Sequence, residues 1–277
     1  MNNNPLDEAR ESYSSEWEMT SNYFQQNGYY DWCAKNINEH SKVLEIGIGI
    51  GIGNSTLSLL TRGCKITGIE ENYYNINKTI SLLKANKIPF GAIFREKKEV
   101  IIQKGKYNVN YLDMDLTTEE IEQVPIIILQ GDFIHDDNLK KWILKNEKYD
   151  AIVCWFTGVH GIIYEHALHS VKNPTEYRML LHDFIFQFTP HLLKPNGVIN
   201  ICDRIKQFDD KTEQTLINEM KRIYKFQERN LEFKSSEQIV VDGFDTPDGI
   251  QHDRLLTNPV GGKKALYSMS IGFTADE

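Results

Sequence analysis

Glu45 closes a short apolar run, and glycines follow it at positions 47, 49, 51 and 53. Glu70 closes a second apolar run nineteen residues after Gly51. Carboxylates at the tips of two strands accept hydrogen bonds from hydroxyl or ammonium groups. Alternating glycines let a ligand rest on bare main chain and let that chain turn sharply. A strand that runs into glycines and then a helix holds a nucleotide-like ligand at the carboxyl ends of the strands. A phosphate-cradling P-loop needs GxxxxGK[ST], and no Gly-Lys pair occurs in this loop. The dinucleotide fingerprint GxGxxG fits poorly: starting from Gly47, Gly49 or Gly51, its sixth position is Ile52, Asn54 or Thr56.

An acid followed by GxGxG remains, Glu45-Ile46-Gly47-Ile48-Gly49-Ile50-Gly51. With it come ITGIEEN ending near Glu70, LQGDFIHDD around Asp132, and LLKPNGVINICD at 192–203. In this order the four stretches resemble the class I S-adenosylmethionine (SAM)-dependent methyltransferases, over about residues 41–203. The resemblance implies SAM as cofactor and S-adenosylhomocysteine (SAH) as product. It implies that Gly47, Gly49 and Gly51 pack on the amino-acid part of SAM, and that Glu45 reaches its amino group directly or through water. Glu70 would take both ribose hydroxyls, Asp132 the adenine amino group, and Phe133 the adenine ring. Asp132 is crowded by Asp136 and Asp137, and one of these acids also suits helix capping. The glycine run is one Gly-Ile pair longer than the family's. If Glu45 sets the register, the loop is Gly47, Gly49 and Gly51; if GNST sets it, the loop is Gly49, Gly51 and Gly53. We take the first, because the acid closes an apolar strand.

In this family methyl transfer takes place after the fourth strand, here CWFTGVHGIIYEH, residues 154–166. The [ND]PP[YF] motif of base N-methyltransferases, the Pro-Cys of cytosine enzymes and the double-glutamate loop of protein-arginine enzymes do not occur there. His160 is the candidate general base, since its ordinary pKa of about 6.5 suits proton removal near neutral pH. Tyr30 joins it as a candidate at the reacting centre. Tyr29, Trp32, Trp155 and Tyr164 are candidate substrate contacts, aromatic faces suited to a sulfonium or a cationic substrate. Glu165, His166 and His169 fall at helical spacing and are read as a polar helix face; no metal is expected. The expected acceptor is N or O of a small molecule or short peptide. The alternatives are a methyltransferase acting on RNA or protein, with REKKEVIIQKGK as a basic stripe, and a non-catalytic SAM-binding protein.

Strands alternating with helices from Ser41 onward position these residues and predict an α/β fold. The resemblance implies a doubly wound, Rossmann-like sheet of seven mostly parallel strands, the last antiparallel. Residues 1–40 are expected to form an N-terminal helical cap broken at Gly28, with 1–12 mobile, and 41–277 the SAM-binding domain. Residues 87–125 exceed an ordinary connection and predict an inserted hairpin turning at Gly105, followed by a short acidic helix, TTEEIEQV. Two late strands are expected at FQERNLEF and ALYSMSIGF. A net charge of −8 argues against broad contact with a nucleic-acid backbone, so no DNA partner is expected. Four dispersed cysteines, Cys33, Cys64, Cys154 and Cys202, argue against a disulfide scaffold or a structural zinc. No apolar run suits export or a membrane span, and a cytoplasmic location is expected. The sequence does not set an oligomeric state.

Overall fold

A computed structural model describes residues 5–48, 52–95, 97–103, 106–112, 123–145, 148–158, 174–241 and 263–274. Two helices, α1 (Pro5–Gln26) and α2 (Tyr29–Ala34), lead into β1 (Lys42–Ile46), α3 (Asn54–Thr61), β2 (Lys65–Glu70) and α4 (Tyr73–Ala85). Next come β3 (Phe90–Ile93), β4 (Lys97–Gln103), β5 (Lys106–Tyr111), β6 (Ile126–Gln130), α5 (Asp137–Lys145) and β7 (Tyr149–Trp155). The chain continues through α6 (Pro174–Leu192), β8 (Leu193–Lys206), α7 (Asp210–Ile223), β9 (Leu231–Val240) and β10 (Lys264–Phe273).

The main sheet runs β3-β6-β2-β1-β7-β8-β10-β9. β10 is antiparallel to both neighbours, while the ladders from β3 to β8 are parallel. All seven expected strands are present, and β3 adds an eighth at the edge of the sheet. Four half-buried residues with an internal glycine carry neither alternation nor a solid apolar run, so β3 leaves no sequence signal. The expected hairpin forms a separate two-stranded sheet from β4 and β5; its turn and most of the acidic helix after it lie outside the described residues.

The central strands are solidly apolar because both faces are covered. Leu44 and Ile152 face one cluster with α5 and α6, and Val43 and Val153 face the other with the N-terminal helices. Chain order reverses at β1: β2 lies on one side and β7 on the other. In an open α/β sheet that switch point is where a crevice forms beyond the carboxyl ends of the strands.

Three local expectations need correction. Residues 5–12 are helical, not mobile, because Arg10 is wholly buried and ion-paired to Asp7 and Glu71. α5 was not expected; its buried Leu139, Trp142 and Ile143 supply the amphipathic face that forms it. In FQERNLEF, Gln227–Arg229 is a 3-10 turn, and the strand starts only at Leu231, after Asn230 at φ +54°. Among the described residues no helix is long and apolar enough to cross a membrane.

Candidate functional site

A cleft opens at the switch point, beyond the ends of β1, β2, β6 and β7. Ile46 and Gly47 form its floor, Glu70, Glu71, Asn72 and Asn75 one wall, and Gly131, Asp132 and Phe133 another. Ile69 of β2, Thr157 and Gly158 from the segment after β7, Tyr177 and Leu181 from α6, and Tyr13 from α1 also line it. The cleft therefore joins Gly47, Glu70, Asp132 and Phe133 of the sequence-selected residues.

Gly47 sits at φ +71°, and a Cβ built there would come within 2.9 Å of Thr157 Oγ1. Both the backbone angle and the close approach require glycine. Glu70 is fixed by the backbone that follows it: Asn72 N–H donates to its Oε1 at 2.8 Å, and the Asn72 side chain then caps α4 by accepting from Tyr74 N at 3.0 Å. Burial pushes the Glu70 carboxyl up to about 7; hydrogen bonds from Asn72, Asn75 and Ile48 oppose that rise, and the Glu71 charge adds to it. Asp132 takes the capping role considered for it. Its Oδ1 accepts from Ile134 N at 2.8 Å and His135 N at 3.3 Å, capping the turn after β6 while the residue faces the cleft.

Among the described residues the lining holds three carboxylates, Glu70, Glu71 and Asp132, and no lysine or arginine. Arg10, reaching in from α1, pairs with Glu71. The Tyr111 hydroxyl of β5 lies 3.5 Å from the same carboxylate. Burial, then the nearby carboxylates, push the phenols of Tyr111 and Tyr177 well above the usual range, so both stay protonated. This is a poor receptor for pyrophosphate and a good one for a cation that carries hydroxyl donors.

Other sequence-selected residues lie elsewhere. Glu45 does not line the cleft. It is buried, its oxygens accept from the Ser55 and Thr56 hydroxyls of α3, and burial pushes it up to about 7 against those two bonds. Its place is the joint between β1 and α3. Tyr30 is wholly buried, its hydroxyl 3.0 Å from Ser21 Oγ and its ring edge-on to Phe24 and Phe156. That removes it from the reacting centre. Tyr29 and Trp32 pack in the same aromatic cluster of α1 and α2. Trp155 is buried in β7 and donates from Nε1 to Asn200 Oδ1 at 2.6 Å. Tyr30, Trp32 and Trp155 are buried in the core, Tyr29 is half-buried against it, and none of the four is among the described residues that line the cleft. Gly49, Gly51, His160, Tyr164, Glu165, His166 and His169 lie outside the described residues.

Sequence reasoning passed over Tyr13, Asn75, Thr157 and Tyr177. Thr157 lay inside the stretch singled out after β7. Tyr13 was one aromatic among many in α1, with nothing in its spacing to separate it from Trp17, which is wholly buried.

No protein-family model matches the sequence, and no curated protein does. Solved structures do match. SMU.776, a proposed methyltransferase complexed with SAH, is 11% identical with a TM-score of 0.51; the match covers 90% of this chain and 49% of that one. A proposed sarcosine dimethylglycine methyltransferase from Galdieria sulphuraria is 14% identical with a TM-score of 0.43, covering 92% and 86%. TYW2 of M. jannaschii in complex with AdoMet is 13% identical with a TM-score of 0.45, covering 90% and 76%. The chain thus spans about half the length of SMU.776. The likeness is one of fold: the chain has the Rossmann-like fold of the class I SAM-dependent methyltransferases.

Proposed function

We propose that this protein is a SAM-dependent methyltransferase acting on N or O of a small molecule or short peptide. One observation carries the reading: a cleft at the switch point whose walls are three carboxylates and whose floor is bare main chain at Gly47. The donor set suits SAM. Its adenosine brings hydroxyl and amino donors to acceptor oxygens, and its ammonium and sulfonium charges meet an acidic wall. Gly47 would hold the amino-acid part, Glu70 the ribose, and Asp132 and Phe133 the adenine. SAM, when bound, supplies a methyl group already activated by positive sulfur.

The chain's own contribution is binding, alignment and exclusion of water. Tyr13 and Tyr177 line the cleft and present phenol hydroxyls to an acceptor, that of Tyr177 held protonated by its burial. A Cβ built at Gly158 would fall on the Tyr13 hydroxyl, so this glycine lets α1 close over the site. Glu45 ties α3 to β1 and so holds the start of the glycine loop. The acidic lining favours a neutral or cationic acceptor over a polyanionic backbone.

Incubation with labelled SAM and a cell extract, split by size, tests the reading. Label in the small-molecule or peptide fraction supports it. Label confined to large RNA or protein rejects the acceptor class, and no label in any extract rejects methyl transfer.

A further inference from the structure

Asn75 occupies the first turn of α4, is 2% exposed and lines the cleft. Its side chain acts on Glu70 in the direction that favours the charged carboxylate, as an amide N–H turned toward that group does. Its Oδ1 is buried and has no hydrogen-bond partner. A buried amide oxygen without a partner is costly, on the order of 1–3 kcal/mol, and calls for an explanation.

The cleft that Asn75 lines supplies one. Glu70, which lines the same cleft, takes Asn72 N–H at 2.8 Å on its Oε1. An ionised carboxylate beside an orphaned amide oxygen offers acceptors to two neighbouring hydroxyl donors.

We infer that Asn75 is a nucleoside-binding residue: Glu70 accepts one hydroxyl of a vicinal diol and Asn75 Oδ1 accepts the other. The pair forms a composite clamp, with the Asn75 amide bracing the carboxylate while its oxygen meets the ligand. The site selects for a ribonucleoside with both hydroxyls intact. The inference rests on the proposed nucleoside site and deepens it.

Titration calorimetry with SAH and with its 2′-deoxy and 3′-deoxy analogues tests it, using the full-length protein and its Asn75→Leu variant. The wild-type chain should lose roughly tenfold or more in affinity when either hydroxyl is removed. Asn75→Leu should lose a similar factor for SAH, yet show almost no further loss for one of the two deoxy analogues. That coupling to a single hydroxyl is what a merely structural role would not produce. If Asn75→Leu binds SAH as tightly as the wild type, or weakens SAH and both analogues by the same factor, the clamp is wrong while the nucleoside site stands. If the wild type binds no SAH, the site itself fails and the clamp with it. Asn75→Ser, which restores a short acceptor, guards against misfolding: loss of coupling in a folded Ser variant also counts against the clamp.

Discussion

Glu70 makes ligand binding a proton-linked event. Burial holds its carboxyl up at about 7 in the free protein, where half the molecules carry it protonated at neutral pH. A hydroxyl donor is bound more strongly by the ionised form, and the positive charge of SAM favours it further. Binding then pulls the group's pKa back down and releases its proton. With a free-state pKa of about 7, roughly 1% of the protein is ionised at pH 5 and about 90% at pH 8. Affinity should therefore rise roughly 90-fold from pH 5 to pH 8, about 2.7 kcal/mol, and level off above it. At pH 7 about half a proton should leave per ligand bound. Calorimetric titration with SAH at pH 7, in buffers of different ionisation enthalpy, reads the proton release; a series from pH 5 to 8 reads the slope. Glu70→Gln, run alongside, removes any contribution from the ligand's own amino group. A flat pH profile with no proton release refutes the reasoning, as does an unchanged slope in Glu70→Gln.

Glu45 should act on stability. Its carboxyl rises from 4.5 to about 7 on folding, so it is protonated in both states below pH 4.5 and opposes folding progressively as pH rises through 7. It should remove about 3 kcal/mol of stability across that window, and urea melts of Glu45→Gln should show a shallower fall between pH 4.5 and 7. Gly158→Ala should cost about 1–3 kcal/mol by forcing the new methyl against Tyr13, and Tyr13→Phe in the same chain should recover part of it in thermal melts; additive losses would refute the contact. Truncating Arg10 to Ala should cost about 3–5 kcal/mol, since Glu71 is left charged beside a wholly buried gap, and fluorescence of Trp17 should report loosening of α1.

Strand ends were the legible part of this sequence. Short apolar runs such as Ile126–Gln130 and Tyr149–Trp155 stop where turn chemistry starts, and a polar residue at such an edge falls near the crevice. Glu70, Asp132 and Phe133 were found that way. Glu45 lies apart from the cleft lining because a strand-end acid can turn into the adjoining helix as readily as into the crevice; here it meets Ser55 and Thr56, ten and eleven residues on. Aromatic rings carried no such cue. Tyr29, Tyr30 and Trp32 are as suited to a lid as to a core, and only the docking of α1 and α2 on α3, through Asn54 and Ser21, settles their place. β3 was hidden because an edge strand of four residues needs only backbone pairing to β6. The orphaned oxygen of Asn75 was beyond reach, since it follows from how the first turn of α4 is buried beside the cleft.

The central claim is that the cleft accepts a cationic nucleoside and not a dinucleotide pyrophosphate. Calorimetric titration of the same protein with SAM and with NAD⁺ at pH 8 tests it most directly. The account predicts saturable binding of SAM, lost on Glu70→Ala, with NAD⁺ far weaker. Tighter binding of NAD⁺, or SAM affinity untouched by Glu70→Ala, would contradict it.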